Sequence, residues 1–156
     1  MIAIGLGEYI ITNDESETII THALGTCVAV IMHCPHSKLT GMAHIVLANK
    51  PKDIHLREVR PAYYVDDFLP KMLLHFKHSA HCRVKDIECT LIGGAVSKRK
   101  NDLFKIGEKN VETARSILDS YGVKYDDDET HGRVSRTVSI DISTGKVNIK
   151  KQMMII

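Results

Sequence analysis

The sequence lacks a surplus of either charge: 21 Lys and Arg face 19 Asp and Glu, a formal +2 with histidine neutral. A dedicated phosphate-backbone binder carries a clear basic excess, so nucleic acid is not an expected partner. Cysteine is sparse. The four, at positions 27, 34, 82 and 89, include no CxxC pair and are too few for a disulfide framework, so a reducing cytoplasm is the expected setting. No signal peptide is expected, because the apolar start has no basic residues and is cut by Gly5, Gly7 and Glu8. The one long charge-free stretch, residues 18–37, holds His22, Gly25, Thr26, His33, Pro35 and His36. A membrane span needs about 20 mostly apolar residues, so this stretch reads as a buried strand pair and no membrane insertion is expected. With no internal repeat, low-complexity tract or linker, residues 1–156 are expected to form a single domain. Its composition, 44% hydrophobic and 26% charged, is that of a globular chain able to bury a core without staples.

What is present reads first as strands. Residues 2–12 are β-branched with glycine punctuation, residues 18–21 form a second strand, and residues 27–32 (CVAVIM) are a continuous apolar run suited to a strand buried on both faces. Residues 40–47 pair with it as a hairpin. The polar stretch 49–61, NKPKDIHLREVRP, reads as a long surface loop leaving the strand that contains His44. From residue 62 the period changes: Val65, Phe68, Leu69, Met72, Leu73 and Phe76 share one helical face, with Pro70 either in the first turn or at a kink. Residues 84–92 read as a strand ending at Gly93-Gly94. A second helix is expected over 107–121, with Val111, Ala114, Ile117, Leu118 and Tyr121 inward and Gly122 as a left-handed cap. Strands at 123–125, 134–142 and 147–150 complete an α+β layered β-sandwich with few helices.

Cys27 follows the break Gly25-Thr26 and opens an apolar strand, so its side chain stands at the lip of a sheet beside freshly turned backbone N–H groups. A thiolate there can attack a carbonyl carbon while the N–H groups hold the oxyanion. His44, in the neighbouring strand, is the natural base to lower the thiol pKa from its free value of about 8.5. The competing reading is a buried core cysteine, a common state of the free thiol.

The runs Thr21-His-Ala-Leu-Gly-Thr-Cys27-Val-Ala-Val30, Gly41-Met-Ala-His44, Ile92-Gly-Gly-Ala95 and Ile106-Gly-Glu-Lys-Asn110-Val111-Glu112, together with Arg136 and Thr144-Gly145-Lys146-Val147, resemble in order and spacing the CheD family of chemoreceptor glutamine deamidases. The resemblance covers residues 3–150. It implies a nucleophile at Cys27, a base at His44 and a completing threonine at Thr21, which orients His44 or the substrate amide. It also implies a fold like the catalytic domain of the cytotoxic necrotizing factors, a β-sandwich core flanked by helices. The implied activity is conversion of specific receptor glutamines to glutamate through a thioester, with glutamyl methyl ester hydrolysis as a side activity. The implied partners are chemoreceptor cytoplasmic helices as substrate and a CheC-like phosphatase as regulator, in the cytoplasm. Two other readings stand beside it: a non-catalytic module regulating such a phosphatase, and a deamidase of another cytoplasmic protein. Three departures from the family pattern are Thr26 for the commoner serine, Cys34 for an aspartate, and His131-Gly132 for a Gly-Gly pair.

Nine histidines invite a metal reading, yet His75, His78, His81 and Cys82 have no second cluster with ligand spacing and read as a solvated helix end. The group His33, Cys34 and His36 is weaker still, so no metal and no cofactor is expected. Gly93-Gly94-Ala95 lacks the GK[ST] ending of a phosphate loop and reads as a tight strand exit, followed by a basic turn at 98–100. The acidic run 126–129 reads as solvated loop.

Overall fold

The stretch expected to form one strand, residues 2–12, is two. In the computed structural model, which describes residues 1–52, 60–79, 81–97 and 104–154, a turn separates β1 (Ile2–Ile4) from β2 (Tyr9–Thr12). The Glu8 N–H closes that turn on the Gly5 carbonyl at 3.0 Å. The break sends the two halves to different sheets. β1 pairs in parallel with β3 (Thr18–Leu24), which continues through β8 (Val134–Asp141) to β9 (Val147–Met153) in a four-stranded sheet. β2 forms one edge of a five-stranded sheet, followed by β5 (Thr40–Ile45), β4 (Val28–His33), β6 (Glu88–Gly93) and β7 (Tyr125–Thr130). Most pairings are antiparallel; β1–β3 and β6–β7 are parallel.

The apolar run of β4 is continuous because both faces of the strand are covered. Val28, Val30 and Met32 point to a helical layer, whereas Ala29 and Ile31 point to the first sheet, where they share a core with Ile19, Leu24 and Val138. The helical layer is α1 (Val65–Lys77) and α2 (Ile106–Ser120), both on that one face. α1 buries Phe68, Leu69, Met72, Leu73 and Phe76 as the 3.6-residue period predicts, with Pro70 inside the helix rather than in its first turn. Each such side chain, fully buried, contributes about 1.5–3 kcal/mol. The architecture is therefore mixed α/β in layers, sheet on sheet on helices, consistent with the α+β expectation.

Several expectations change. The strand expected from residue 84 begins at Glu88, because Val84–Asp86 form a 3-10 turn closed by the Asp86 carboxylate on the Arg83 N–H at 3.3 Å. The acidic run 126–129 is not loop but part of β7, where Asp127 pairs with Arg115 at 2.7 Å and Glu129 with Lys151 at 2.9 Å. Parallel pairing with β6 supplies the backbone partners that its composition did not advertise. Tyr121, expected inward, lies past the end of α2 and is 43% exposed. The cysteines expected to be unpaired include one pair: Cys34, just after β4, and Cys82, after α1, form a disulfide with Cα atoms 6.1 Å apart. A separation of 48 residues conceals that proximity in the sequence. Most of the 49–61 loop and all of the 98–100 turn lie outside the described residues.

Candidate functional site

Between β3 and β4 the chain turns through Gly25, Thr26 and Cys27, and each of their three carbonyls is held by a hydrogen bond. Gly25 accepts from the Ala95 N–H at 2.9 Å and Cys27 from the Gly94 N–H at 2.8 Å. The Thr26 carbonyl accepts from Asn110 Nδ2 at 2.9 Å. The same nitrogen donates to the Val46 carbonyl at 2.9 Å. β4 and β5 stay paired only as far as Val28 and Ile45, so Asn110 sits where the two strands part.

This support explains two glycine positions. At Gly93, with φ +111°, a Cβ would collide with the Cys27 carbonyl; at Gly107 a Cβ would collide with the Ala95 carbonyl. The strand exit at 93–95 and the start of α2 are thus built to press against the Cys27 turn. His131 and Gly132, the departure noted above, brace the same exit: the His131 N–H donates to Gly93 and the Val96 N–H to Gly132, at 2.8 and 2.7 Å.

Thr21 and His44 come from different sheets and meet between them. Thr21 Oγ1 lies 2.7 Å from His44 Nδ1 and 2.9 Å from the Ile4 carbonyl. A carbonyl can only accept, so the hydroxyl proton goes to Ile4 and the oxygen accepts from Nδ1–H. That leaves the lone pair on Nε2, which is buried with no hydrogen-bond partner among the described residues. Burial holds the imidazole pKa below its ordinary 6.5, so the ring is neutral at pH 7. β1 matters here because its Ile4, in register with Thr21, supplies the carbonyl.

Cys27 packs partly against the core between the sheets, alongside Ala29 and on the face that His44 also shares. In the register of β4 and β5, Ala29 is opposite His44, which makes Cys27 its diagonal neighbour. Such neighbours stand roughly 7–8 Å apart, and no hydrogen bond joins them. The structure thus bonds Thr21 to His44 and sets Cys27 on their face with no hydrogen bond to either. In this state burial pushes the Cys27 thiol up to about 11, its own backbone N–H pulling the other way, and His44 contributes no lowering.

Asn110 is the residue that chain reading left without a role. Its signal was present: it falls among the inward positions of α2 with Gly107, Val111, Ala114 and Leu118, and a polar side chain there needs buried partners. Among the described residues no group of three His, Cys, Asp or Glu side chains is arranged to hold a metal, and Cys82 is engaged in the disulfide. No helix among the described residues is long and apolar enough to cross a membrane.

Comparison with known proteins adds the lineage. Residues 46–151 match the family model described as CheD chemotactic sensory transduction, a match that starts two residues after His44. A probable chemoreceptor glutamine deamidase CheD of Syntrophotalea carbinolica is 32% identical, with 94% of this chain and 91% of that protein covered. The corresponding protein of Pyrococcus abyssi is 34% identical over 96% of this chain and 91% of its own. The chemoreceptor glutamine deamidase CheD of Thermotoga maritima is 32% identical over 95% and 90%. With the family match spanning most of its length and relatives above 30% identity covering nearly all of it, the chain belongs to the CheD family.

Proposed function

We propose that this single-domain chain is a cysteine-dependent glutamine deamidase acting on chemoreceptors, with Cys27, His44 and Thr21 as its site. One observation carries the reading: the Thr21 bond leaves a buried Nε2, without a partner among the described residues, on the face that the Cys27 thiol shares. The relatives' names supply the substrate, a glutamine carboxamide on a chemoreceptor.

The reaction begins from a neutral thiol and a neutral imidazole. His44 Nε2 takes the thiol proton as the sulfur attacks the carboxamide carbon, and the carbonyl oxygen becomes an oxyanion beside the Cys27 N–H. The adduct collapses with the proton passing from His44 to the leaving nitrogen, so ammonia departs and a thioester remains. Water, losing a proton to Nε2, then attacks the thioester; glutamate is released and the thiol regains its proton. A glutamyl methyl ester would follow the same path with methanol as the leaving group. Thr21 contributes by fixing the tautomer.

On this reading the substrate surface is a cytoplasmic receptor helix, a CheC-like phosphatase is a regulatory partner, and a likeness to the cytotoxic necrotizing factor catalytic domain is part of the proposal. The test is incubation with a purified receptor signalling domain followed by peptide mass spectrometry. A gain of about 1 Da at defined glutamines, absent with Cys27→Ala, is the expected result. Conversion by a folded Cys27→Ala protein would overturn it.

A further inference from the structure

Asn110 holds a position that neither stability nor the proposed chemistry has yet explained. Its side chain is fully buried, its Nδ2 bridges the carbonyls of Thr26 and Val46, and its Oδ1 is buried with no partner among the described residues. A buried amide with an idle acceptor is costly, and such groups call for a reason. The peptide unit it holds supplies one. The Thr26 carbonyl and the Cys27 N–H belong to the same planar trans amide and point in opposite directions. Fixing the carbonyl therefore fixes the N–H, which stands beside the Cys27 sulfur, where the oxygen of a carbonyl attacked at its carbon can be reached.

We infer that Asn110 is a positioning residue: by holding the Thr26 carbonyl, it aims the Cys27 N–H at the oxyanion of the tetrahedral adduct. Donation to the carbonyl also polarises the amide and strengthens its N–H as a donor. The second bond, to Val46, locks the turn to the strand that carries His44, so nucleophile and base keep one relative placement. The Ala95 and Gly94 bonds hold the flanking carbonyls, which leaves the Thr26 peptide as the one unit of the turn whose orientation depends on a side chain.

The inference rests on the deamidase reading, and the experiment separates the two. Asn110→Ala and the isosteric Asn110→Asp, whose carboxylate cannot donate, are compared with the unaltered chain on a receptor signalling domain, with Cys27→Ala alongside. Folding of each variant is checked by melting and circular dichroism. The expected result is a fall in kcat of roughly tenfold or more with KM within about twofold, the pattern of an interaction made only in the transition state. Alkylation of Cys27 by iodoacetamide, which forms no oxyanion, should stay within about threefold of the unaltered rate, whereas a merely structural role would move both together. A kcat retained within about threefold, or kcat and alkylation falling in parallel, would overturn the inference. If Cys27→Ala remains active, the deamidase reading fails instead.

A measurement in the unaltered chain covers the case in which neither variant folds. A receptor peptide carrying an aldehyde in place of the glutamine carboxamide adds to the thiol, forming a C–S bond as the carbonyl oxygen takes up negative charge or a proton. The Cys27 amide proton should then move downfield in the nitrogen-15 correlation spectrum. An unmoved Cys27 amide in the labelled adduct would show that this N–H does not face the oxygen.

Discussion

The 2.7 Å bond between Thr21 Oγ1 and His44 Nδ1 joins the two sheets at a point where both side chains are buried. The hydroxyl already donates to Ile4, so its direction is set and so is the histidine tautomer. Thr21→Val keeps the shape and removes the oxygen, leaving an imidazole N–H and a carbonyl unpaired at a cost of about 1–3 kcal/mol. Thr21→Ser keeps the relay. The Val variant is expected to melt lower and to lose roughly tenfold or more in kcat, with Ser near the unaltered rate. Equal activity of Val and Ser would remove the tautomer argument.

A second pair shows that this geometry alone is not chemistry. His33 Nδ1 lies 2.7 Å from Thr40 Oγ1, and that hydroxyl donates to the Lys38 carbonyl at 2.9 Å, the same relay at the far end of β4 and β5. The cysteine beside it, Cys34, is tied up in a disulfide. What distinguishes His44 is a free thiol on its face. The chain announced that thiol through the Gly-Thr break and announced His44 through its strand, whereas the relay needed Ile4, whose part depends on the split of residues 2–12 into two sheets. Local pattern carries a strand's existence but not its sheet. Long-range partners were hidden for the same reason: the β7 acidic run, the Cys34–Cys82 pair and the Asn110 bridge all depend on contacts many residues apart. The helical faces and the doubly buried β4, by contrast, were legible because burial on each face imposes its own period.

Stability should depend on pH through the two buried histidines. Burial lowers the pKa of both His33 and His44 from 6.5, so the unfolded chain binds protons that the folded chain refuses. Their contribution is fully present above the unfolded value and is lost as pH falls through 6.5 toward the lower folded values. Each histidine adds at most about 1.4 kcal/mol per pH unit to the slope. Urea unfolding at pH 7.5, 6.5 and 5.5 should show a falling midpoint, and His44→Gln should flatten part of that fall. A midpoint constant across the window would contradict the buried neutral state.

Thiol reactivity separates the resting state found here from a preformed thiolate. With its pKa pushed up to about 11, Cys27 is protonated at pH 7 in all but about one molecule in ten thousand. Iodoacetamide labelling of the folded protein should therefore be slow at neutral pH and rise about tenfold per pH unit toward 11. Cys89, fully in the core and raised to about 12, should label after Cys27, and Cys34 and Cys82 only after reduction. Rapid labelling of Cys27 at pH 7 would mean that His44 already holds its proton before substrate arrives.

The Cys34–Cys82 link closes a long loop that contains all of α1, and it lies beyond the opposite end of β4 from Cys27. Cross-linking residues 48 apart restricts the unfolded chain far more than the folded one. In the chain-entropy account such a loop is worth about 4 kcal/mol, and measured links more often give about 2–4. Cys34→Ser with Cys82→Ser should therefore lower the unfolding free energy by about 2–4 kcal/mol. Deamidation should be nearly unchanged, because the six residues of β4, about 20 Å at 3.3 Å each, separate the link from the turn at residues 25–27. The check is a urea titration of both proteins beside a kcat measurement under conditions where each is folded. A double variant as stable as the parent would show that the loop is held as firmly by packing against Phe76 and Ile87 as by the bond. A folded double variant with lost activity would show instead that strain passes along β4 from the Cys34 end to the Cys27 turn.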